Sequence, residues 1–209
     1  LRIDFQRCES QSEPSNTDGG NLMLKKLFYA IVAIVVLILM VAGIQSNEFT
    51  ITRHIDIAKP ANQVFPIVND FSRWRDWSPW AQIDPKMELK ISDPSSGPGA
   101  TYYWSGNSEV GEGKMTVLKS VADQNVDIRL EFIRPMTSTN LTVFNFVHAD
   151  AGCRLQWTMS GQQSYFEKIF SLFIDVEKMV GQDFEKGLAK IKEIADATPD
   201  TAPQPVVSP

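Results

Sequence analysis

Between Phe49 and Ile57 the chain alternates. Phe49, Ile51, Arg53, Ile55 and Ile57 hold the odd positions, and Thr50, Thr52, His54 and Asp56 the even ones. All the odd residues but Arg53 are apolar, which is the period of a strand with one buried face. Lys59-Pro60-Ala61 then opens a short helix, since proline is tolerated in a first turn, with Val64, Phe65 and Val68 on one side. Pro66 falls inside that helix or ends its first segment. From Met87 onward the period of two returns in Met87–Ile91, Thr101–Ser105, Gly111–Val121, Val126–Ile133, Thr139–His148 and Cys153–Ser160. The intervening Asp93–Gly99, Gly106-Asn107, Asp123–Asn125 and Ala149–Gly152 are turn chemistry. Strands joined so briefly predict one curved antiparallel sheet. After Gly161 the period lengthens to 3.6. Phe166, Ile169, Phe170, Phe173, Val176, Val180, Phe184, Leu188, Ile191 and Ala195 recur at steps of three and four. This predicts a single amphipathic helix of about 30 residues. Gly181 and Gly187 weaken it by about 1 kcal/mol each relative to alanine and permit a bend or close packing on the sheet.

Upstream, Leu27–Ile44 is 18 residues without a charge. As a helix it extends about 27 Å, near the roughly 30 Å of a bilayer core. Lys25 and Lys26 precede it and Gln45–Glu48 carries no positive charge. The positive-inside bias therefore puts the N-terminus in the cytoplasm and the following domain outside, in the periplasmic or extracytoplasmic space. Val41-Ala42-Gly43 leaves a cleaved signal peptide as the competing reading, with the domain secreted to the same side. The expected division is a polar tail or misplaced start over 1–24, an anchor or signal over 25–45, a domain over 48–196, and a proline-rich tail over 197–209.

One irregular segment, Phe71–Trp80, holds three of the five tryptophans, Trp74, Trp77 and Trp80, with prolines at 79 and 85. So much aromatic surface closes or lines something large, or plugs a core. The net charge of −5, with no basic block, argues against a nucleic-acid partner. Cys8 and Cys153 flank the apolar run, so if it crosses a membrane they cannot pair, and Cys153 reads as a small buried apolar residue.

The order of elements resembles the START-like (SRPBCC) superfamily, an α+β helix-grip fold, and the text is similar to its polyketide cyclase/dehydrase-type branch. The residues carrying the resemblance are Ile55–Pro60, Asn69-Asp-Phe71, Trp74–Trp80, Asp84-Pro85, Gly99–Gly106, Gly111-Glu-Gly113 and Gly181–Leu188. They span roughly residues 48–195. The resemblance implies a curved antiparallel sheet of six to seven strands wrapped around a long C-terminal helix, here preceded by one transmembrane helix. It also implies a shared cavity rather than a shared catalytic set, in a superfamily that includes lipid carriers, hormone receptors and cyclases.

Catalytic chemistry is sparse. His54 and His148 fall on strand positions away from the apolar face, no histidine–cysteine group has metal spacing, and no glycine run precedes a lysine or helix start as a phosphate loop does. Asp70, Asp76 and Asp84 lie beside tryptophan and proline, where aspartates cap helices and make turns. No catalytic residue, cofactor or metal is expected. The expected cavity lining is Trp104, Ile128, Leu130, Phe132, Leu155, Trp157 and Met159 from the strands, Phe170, Phe173, Met179 and Val180 from the helix, and Trp77 or Trp80 at the mouth. The function this predicts is a membrane-anchored extracytoplasmic domain binding a hydrophobic small molecule, lipid or isoprenoid-like. The alternatives are a cyclase/dehydratase-type enzyme in the same cavity and an envelope interaction module whose protein partner the residues leave open.

Overall fold

The computed structural model describes residues 18–199, with side chains from Leu22 onward. Helix α1 (Asp18–Ile44) contains a stretch of 23 residues, Leu22–Ile44, whose most apolar 18 residues have mean hydropathy 3.0, long and apolar enough to cross a membrane. Residues 18–24, expected in the polar tail, are helical, because extending a nucleated helix costs little. The rest of that tail, with Cys8, and residues 200–209 lie outside the described residues.

From Ser46 the chain forms a separate compact unit. Its order is β1 (Glu48–Ile57), α2 (Ala61–Asn69), a 3-10 turn (Phe71–Arg73), α3 (Trp74–Trp77), α4 (Pro79–Ile83), β2 (Glu88–Ile91), β3 (Thr101–Ser105), β4 (Glu112–Val121), β5 (Asn125–Arg134), β6 (Ser138–Ala149), β7 (Gly152–Gln162), α5 (Tyr165–Ser171) and α6 (Val176–Ala197). The seven strands make one antiparallel sheet in the order β1-β7-β6-β5-β4-β3-β2. Each strand from β2 to β6 pairs with its successor. The first strand closes onto the last, so Ile51 stands opposite Met159 and Ile55 opposite Leu155. This is the curved sheet and long C-terminal helix of the helix-grip fold.

One face of the sheet is covered by α6 and the segment between β1 and β2. Ile51, Val117, Val126, Ile128, Phe144, Leu155 and Trp157 point into that interface and are all nearly inaccessible, as are Phe184, Leu188 and Ile191 of α6. Pro66 sits inside α2, whose Val64, Phe65, Ile67 and Val68 are buried. Arg53, the polar exception on β1, crosses to α6 and pairs with Glu177 at 2.9 Å and Glu185 at 2.8 Å. Between them stands Gly181, where a Cβ would lie 2.1 Å from the guanidinium. The stripe 177, 181, 185 is thus a slot for one arginine. Hydrogen bonds donated by the guanidinium to Glu177 and then to Glu185 raise the Arg53 pKa above its ordinary value against partial burial. Both glutamates are largely exposed, so each pair contributes only about 0–1 kcal/mol.

The C-terminal helix is not continuous. Ser164 and Glu167 form a capping box that starts α5, and its last turn closes when the Leu172 N–H donates to Ile169 and Phe170. Asp175 then accepts from the Lys178 N–H and starts α6 afresh. Each helix end satisfies its own backbone groups locally. The break removes the apolar residues before Val176 from the line that reaches the core. Phe166, Phe170 and Phe173 are 65%, 47% and 70% exposed.

Trp77 is as deeply buried as Trp157, and its Nε1 donates to the Ile67 carbonyl at 3.1 Å. It is therefore part of the core and not a closing element, whereas Trp80 is only half-buried. Trp77→Ala and Trp157→Ala should each cost about 3–5 kcal/mol, and Trp80→Ala about half as much, in urea melts of the chain lacking α1. A Trp77→Ala cost as small as that of Trp80→Ala would show that the segment opens readily.

Candidate functional site

The tryptophan segment is held in place at both ends. Asp70 caps the 3-10 turn, accepting from the Ser72 N–H at 2.9 Å and the Ser72 and Ser95 hydroxyls at 2.7 Å each. Burial pushes its carboxyl pKa up, but these hydrogen bonds outweigh that effect and leave it lowered. The Phe71 N–H donates to the Ser95 carbonyl, which fastens the turn to the loop between β2 and β3. At the far end, Asp84 accepts from the backbone of Lys86 and Asn107. Asp70 and Asp84 are thus turn residues, and Asp76 is an exposed residue of α3.

Between this segment, the sheet and α6 lies a cavity of about 200 Å³. Its wall is made by Trp74, Ser78, Trp80 and Met87, by Tyr102, Trp104, Met115, Leu130, Phe132, Thr142, Trp157 and Met159 on the strands, by Val180 and Phe184 of α6, and by Glu109 and Val110. The aromatic rings interlock. Trp157 stacks on Phe184 with centroids 4.1 Å apart and planes 7° apart, and meets Trp77 and Trp80 edge to face at 5.6 and 6.1 Å. Trp104 meets Phe132 at 6.0 Å and has space because Gly113 lies opposite it, where a Cβ would be 2.3 Å from the indole.

The buried polar atoms of the wall differ in their satisfaction. Trp74 donates to the Val68 carbonyl at 2.8 Å and Trp104 to that of Val110 at 3.3 Å. Trp157 Nε1 and Thr142 Oγ1 are buried and have no hydrogen-bond partner. Thr142 pairs with Met159 and Trp157 with Phe144, so the two residues are diagonal neighbours on the inner face of β6 and β7. The Cζ3 edge of the Trp157 ring faces Gly187, which puts Nε1 on the opposite edge. Two unsatisfied buried groups cost about 1–3 kcal/mol each.

Seven of the residues expected to line a cavity do so: Trp80, Trp104, Leu130, Phe132, Trp157, Met159 and Val180. Trp77, Ile128 and Leu155 are packed in the core behind it. Phe170, Phe173 and Met179 are exposed, because the break before Asp175 turns the first two away and Met179 lies on the outer side of α6. Trp74, Tyr102, Met115, Thr142 and Phe184 also line it. Thr142 was legible from its alternation with Phe144 and Phe146, and Phe184 from the 3.6-residue stripe.

Only two lining side chains can ionise, Tyr102 and Glu109. Burial pushes the Tyr102 phenol up to about 12, with nearby Arg75 acting weakly against it. Tyr102 is therefore a neutral hydroxyl at ordinary pH. Glu109 lies on the exposed loop between β3 and β4. His54 is exposed on the outer face, His148 is exposed at the end of β6 but on the alternation of Thr142, Phe144 and Phe146 and not away from it as expected, and Cys153 is a buried free thiol whose pKa burial raises. Among the described residues no three of His, Cys, Asp and Glu are grouped to hold a metal ion.

Residues 48–196 match the family described as polyketide cyclase / dehydrase and lipid transport. No curated protein matches the chain. Similar solved structures include protein CV1439 from Chromobacterium violaceum, 14% identical with a TM-score of 0.53, covering 72% of this chain and 98% of that one. Protein MLL2253 from Mesorhizobium loti is 12% identical with a TM-score of 0.54, covering 72% and 99%. The Aha1 dimer from Colwellia psychrerythraea is 14% identical with a TM-score of 0.52, covering 71% and 97%. At these identities the likeness is one of fold.

The Tyr102 shift has a measurable consequence. The folded state keeps the phenol protonated after the unfolded chain, near pH 10, has lost its proton. Stability from this group is complete below pH 10 and is lost as the pH rises towards 12, by about 2–3 kcal/mol. The difference in melts between the unmodified chain and Tyr102→Phe should narrow by that amount across this range. A difference independent of pH would mean that Tyr102 is hydrated.

Proposed function

The chain belongs to the polyketide cyclase / dehydrase and lipid transport family, and from that premise we propose that its cavity binds a small, mainly apolar molecule carrying one hydrogen-bonding group. The observation that carries this reading is the pair of buried, unpartnered polar atoms, Trp157 Nε1 and Thr142 Oγ1, on two residues of a mainly apolar wall whose other polar members are Ser78, Tyr102 and Glu109. A carbonyl or hydroxyl oxygen would accept from the indole and from the threonine. Size narrows the class further. A dry apolar cavity of roughly 150 Å³ holds benzene, and pockets for drug-sized ligands run to about 300–1,000 Å³. A space of about 200 Å³ therefore suits a molecule of about ten heavy atoms, or one end of a longer isoprenoid or acyl chain, and not a whole diacyl lipid. An enzymatic reading would rest on Glu109, the one carboxylate on the wall.

The matched probes are 4-methylacetophenone and p-cymene, which share a shape and differ in the carbonyl. Thr142→Val should lower affinity for the ketone by about 3–10-fold and leave that for the hydrocarbon within twofold, by titration against Trp fluorescence. Equal losses for both probes, or no binding of either by the unmodified domain, would overturn the reading.

We further propose that α1 is a retained anchor, with the N-terminus cytoplasmic and the domain outside. Its support is the uncharged run of 18 residues, Leu27–Ile44, preceded by Lys25 and Lys26, with no lysine or arginine between Ile44 and Arg53. Protease added to spheroplasts expressing the chain should digest residues 46–209 and spare a cytoplasmic control. Protection until lysis would reverse the orientation, and a mature chain starting near Ile44 would replace the anchor by a cleaved signal.

A further inference from the structure

We infer that the molecule held in the cavity is a small organic cation, an ammonium group on an apolar body, and that Glu109 is its counter-charge at the mouth. The inference rests on the proposed occupation of the cavity. Seven of the sixteen residues of the wall are aromatic, among them four of the chain's five tryptophans. None is basic, and the single charged one is Glu109. Arg75, whose charge reaches the Tyr102 phenol, stands outside the wall, exposed and donating to the Pro85 carbonyl at 3.2 Å. Glu112, three residues beyond Glu109, is held by Arg134 and by the Tyr103 hydroxyl at 2.8 Å. Glu109 has no ion-pair partner among the described residues.

Exposure along the wall places the mouth. Trp80, Val110, Leu130, Phe132 and Val180 are half-buried and Glu109 is exposed, while the other ten wall residues are buried. The cavity therefore meets solvent beside these six. The loop that carries Glu109 is fixed there. The Asn107 N–H donates to Asp84 at 2.9 Å, the Asn107 side chain accepts from the Glu109 N–H at 2.9 Å, and Trp104 donates to the Val110 carbonyl at 3.3 Å. A carboxylate at such a mouth loses part of its hydration when a neutral hydrocarbon fills the space beside it, and gains no partner. An ammonium offsets that loss with a charge-assisted hydrogen bond, and keeps its outer side in water while its apolar body is buried. Half-buried Trp80 and Phe132 stand at the same opening, and a cation over the face of an aromatic ring gains a factor of about 2–5 in affinity at exposed sites. An anion meets the same carboxylate with repulsion. The oxygen that Trp157 and Thr142 would hold lies within the cavity, and the ammonium is a second group of the same molecule, at its mouth.

The test uses the full chain in phosphatidylcholine vesicles, by equilibrium dialysis at neutral pH against matched empty vesicles. The probes are three para-substituted acetophenones. 4-Ethylacetophenone is neutral, 4-(aminomethyl)acetophenone is a cation of the same size, and 4-acetylbenzoate is an anion. The amine should bind more tightly than the carboxylate by about tenfold or more. Glu109→Gln should lower affinity for the amine by about 3–10-fold and leave that for the ethyl ketone within twofold. The cation is overturned, and the apolar cavity stands, if the ethyl ketone binds and the amine does not, or if the carboxylate binds as tightly as the amine. The same holds if Glu109→Gln leaves amine binding unchanged or weakens amine and ketone equally. If none of the three probes binds, both the cation and the proposed cavity function are overturned.

Discussion

The stack of Trp157 on Phe184 joins the middle of β7, the second strand of the sheet, to the middle of α6, and both rings form part of the cavity wall. Trp157 lies at the middle of β7, which pairs with β1 on one side and β6 on the other, so this ring is fixed from three strands. Phe144, Trp77 and Trp80 surround it, at 4.8, 5.6 and 6.1 Å. Such pairs contribute about 0.5–1.5 kcal/mol each beyond the area they bury. Large planar rings packed edge to face cannot interdigitate as aliphatic chains do, and a rigid gap remains beside them. Gly113 and Gly187 serve the same geometry from opposite sides, each withholding a side chain where an indole needs the space.

The same ring carries the chemistry. An indole N–H in the core ordinarily finds a carbonyl, as Trp74 and Trp77 do at the ends of short local loops. Trp157 sits mid-strand, where neighbouring carbonyls already serve the ladder, and its orphaned donor is the cost of placing a tryptophan there. The donor and the adjacent Thr142 hydroxyl are unpartnered polar atoms of two wall residues, and the neutral Tyr102 adds no charge to the wall.

Much of this was legible in the sequence, for identifiable reasons. The strands announce themselves because one face is buried and the other solvated, and the α6 stripe from Val180 to Ala195 follows from the same contrast. Trp157 could be placed inward from its alternation with Leu155 and Met159. The periodicity misleads at Phe166–Phe173, because apolar spacing reports an apolar face and not what that face meets. The capping groups Ser164 and Asp175, which divide the helix, are single polar residues inside a strong 3.6-residue pattern and are outweighed by it. Trp77 and Trp80 look equivalent as text. They differ only because Trp77 reaches the Ile67 carbonyl and Trp80 does not, a matter of three-dimensional approach.

The central claim is that Trp157 Nε1 is the donor to a molecule in the cavity. Its proton resonance can be followed in nitrogen-15-labelled protein, assigned by its loss in Trp157→Phe. On saturation with 4-methylacetophenone this one indole proton should move downfield, as a newly made hydrogen bond requires, while the Trp74 and Trp77 resonances, already bonded to carbonyls, stay nearly fixed. An unmoved Trp157 signal at saturation, or equal movement of all the tryptophans, would contradict the account.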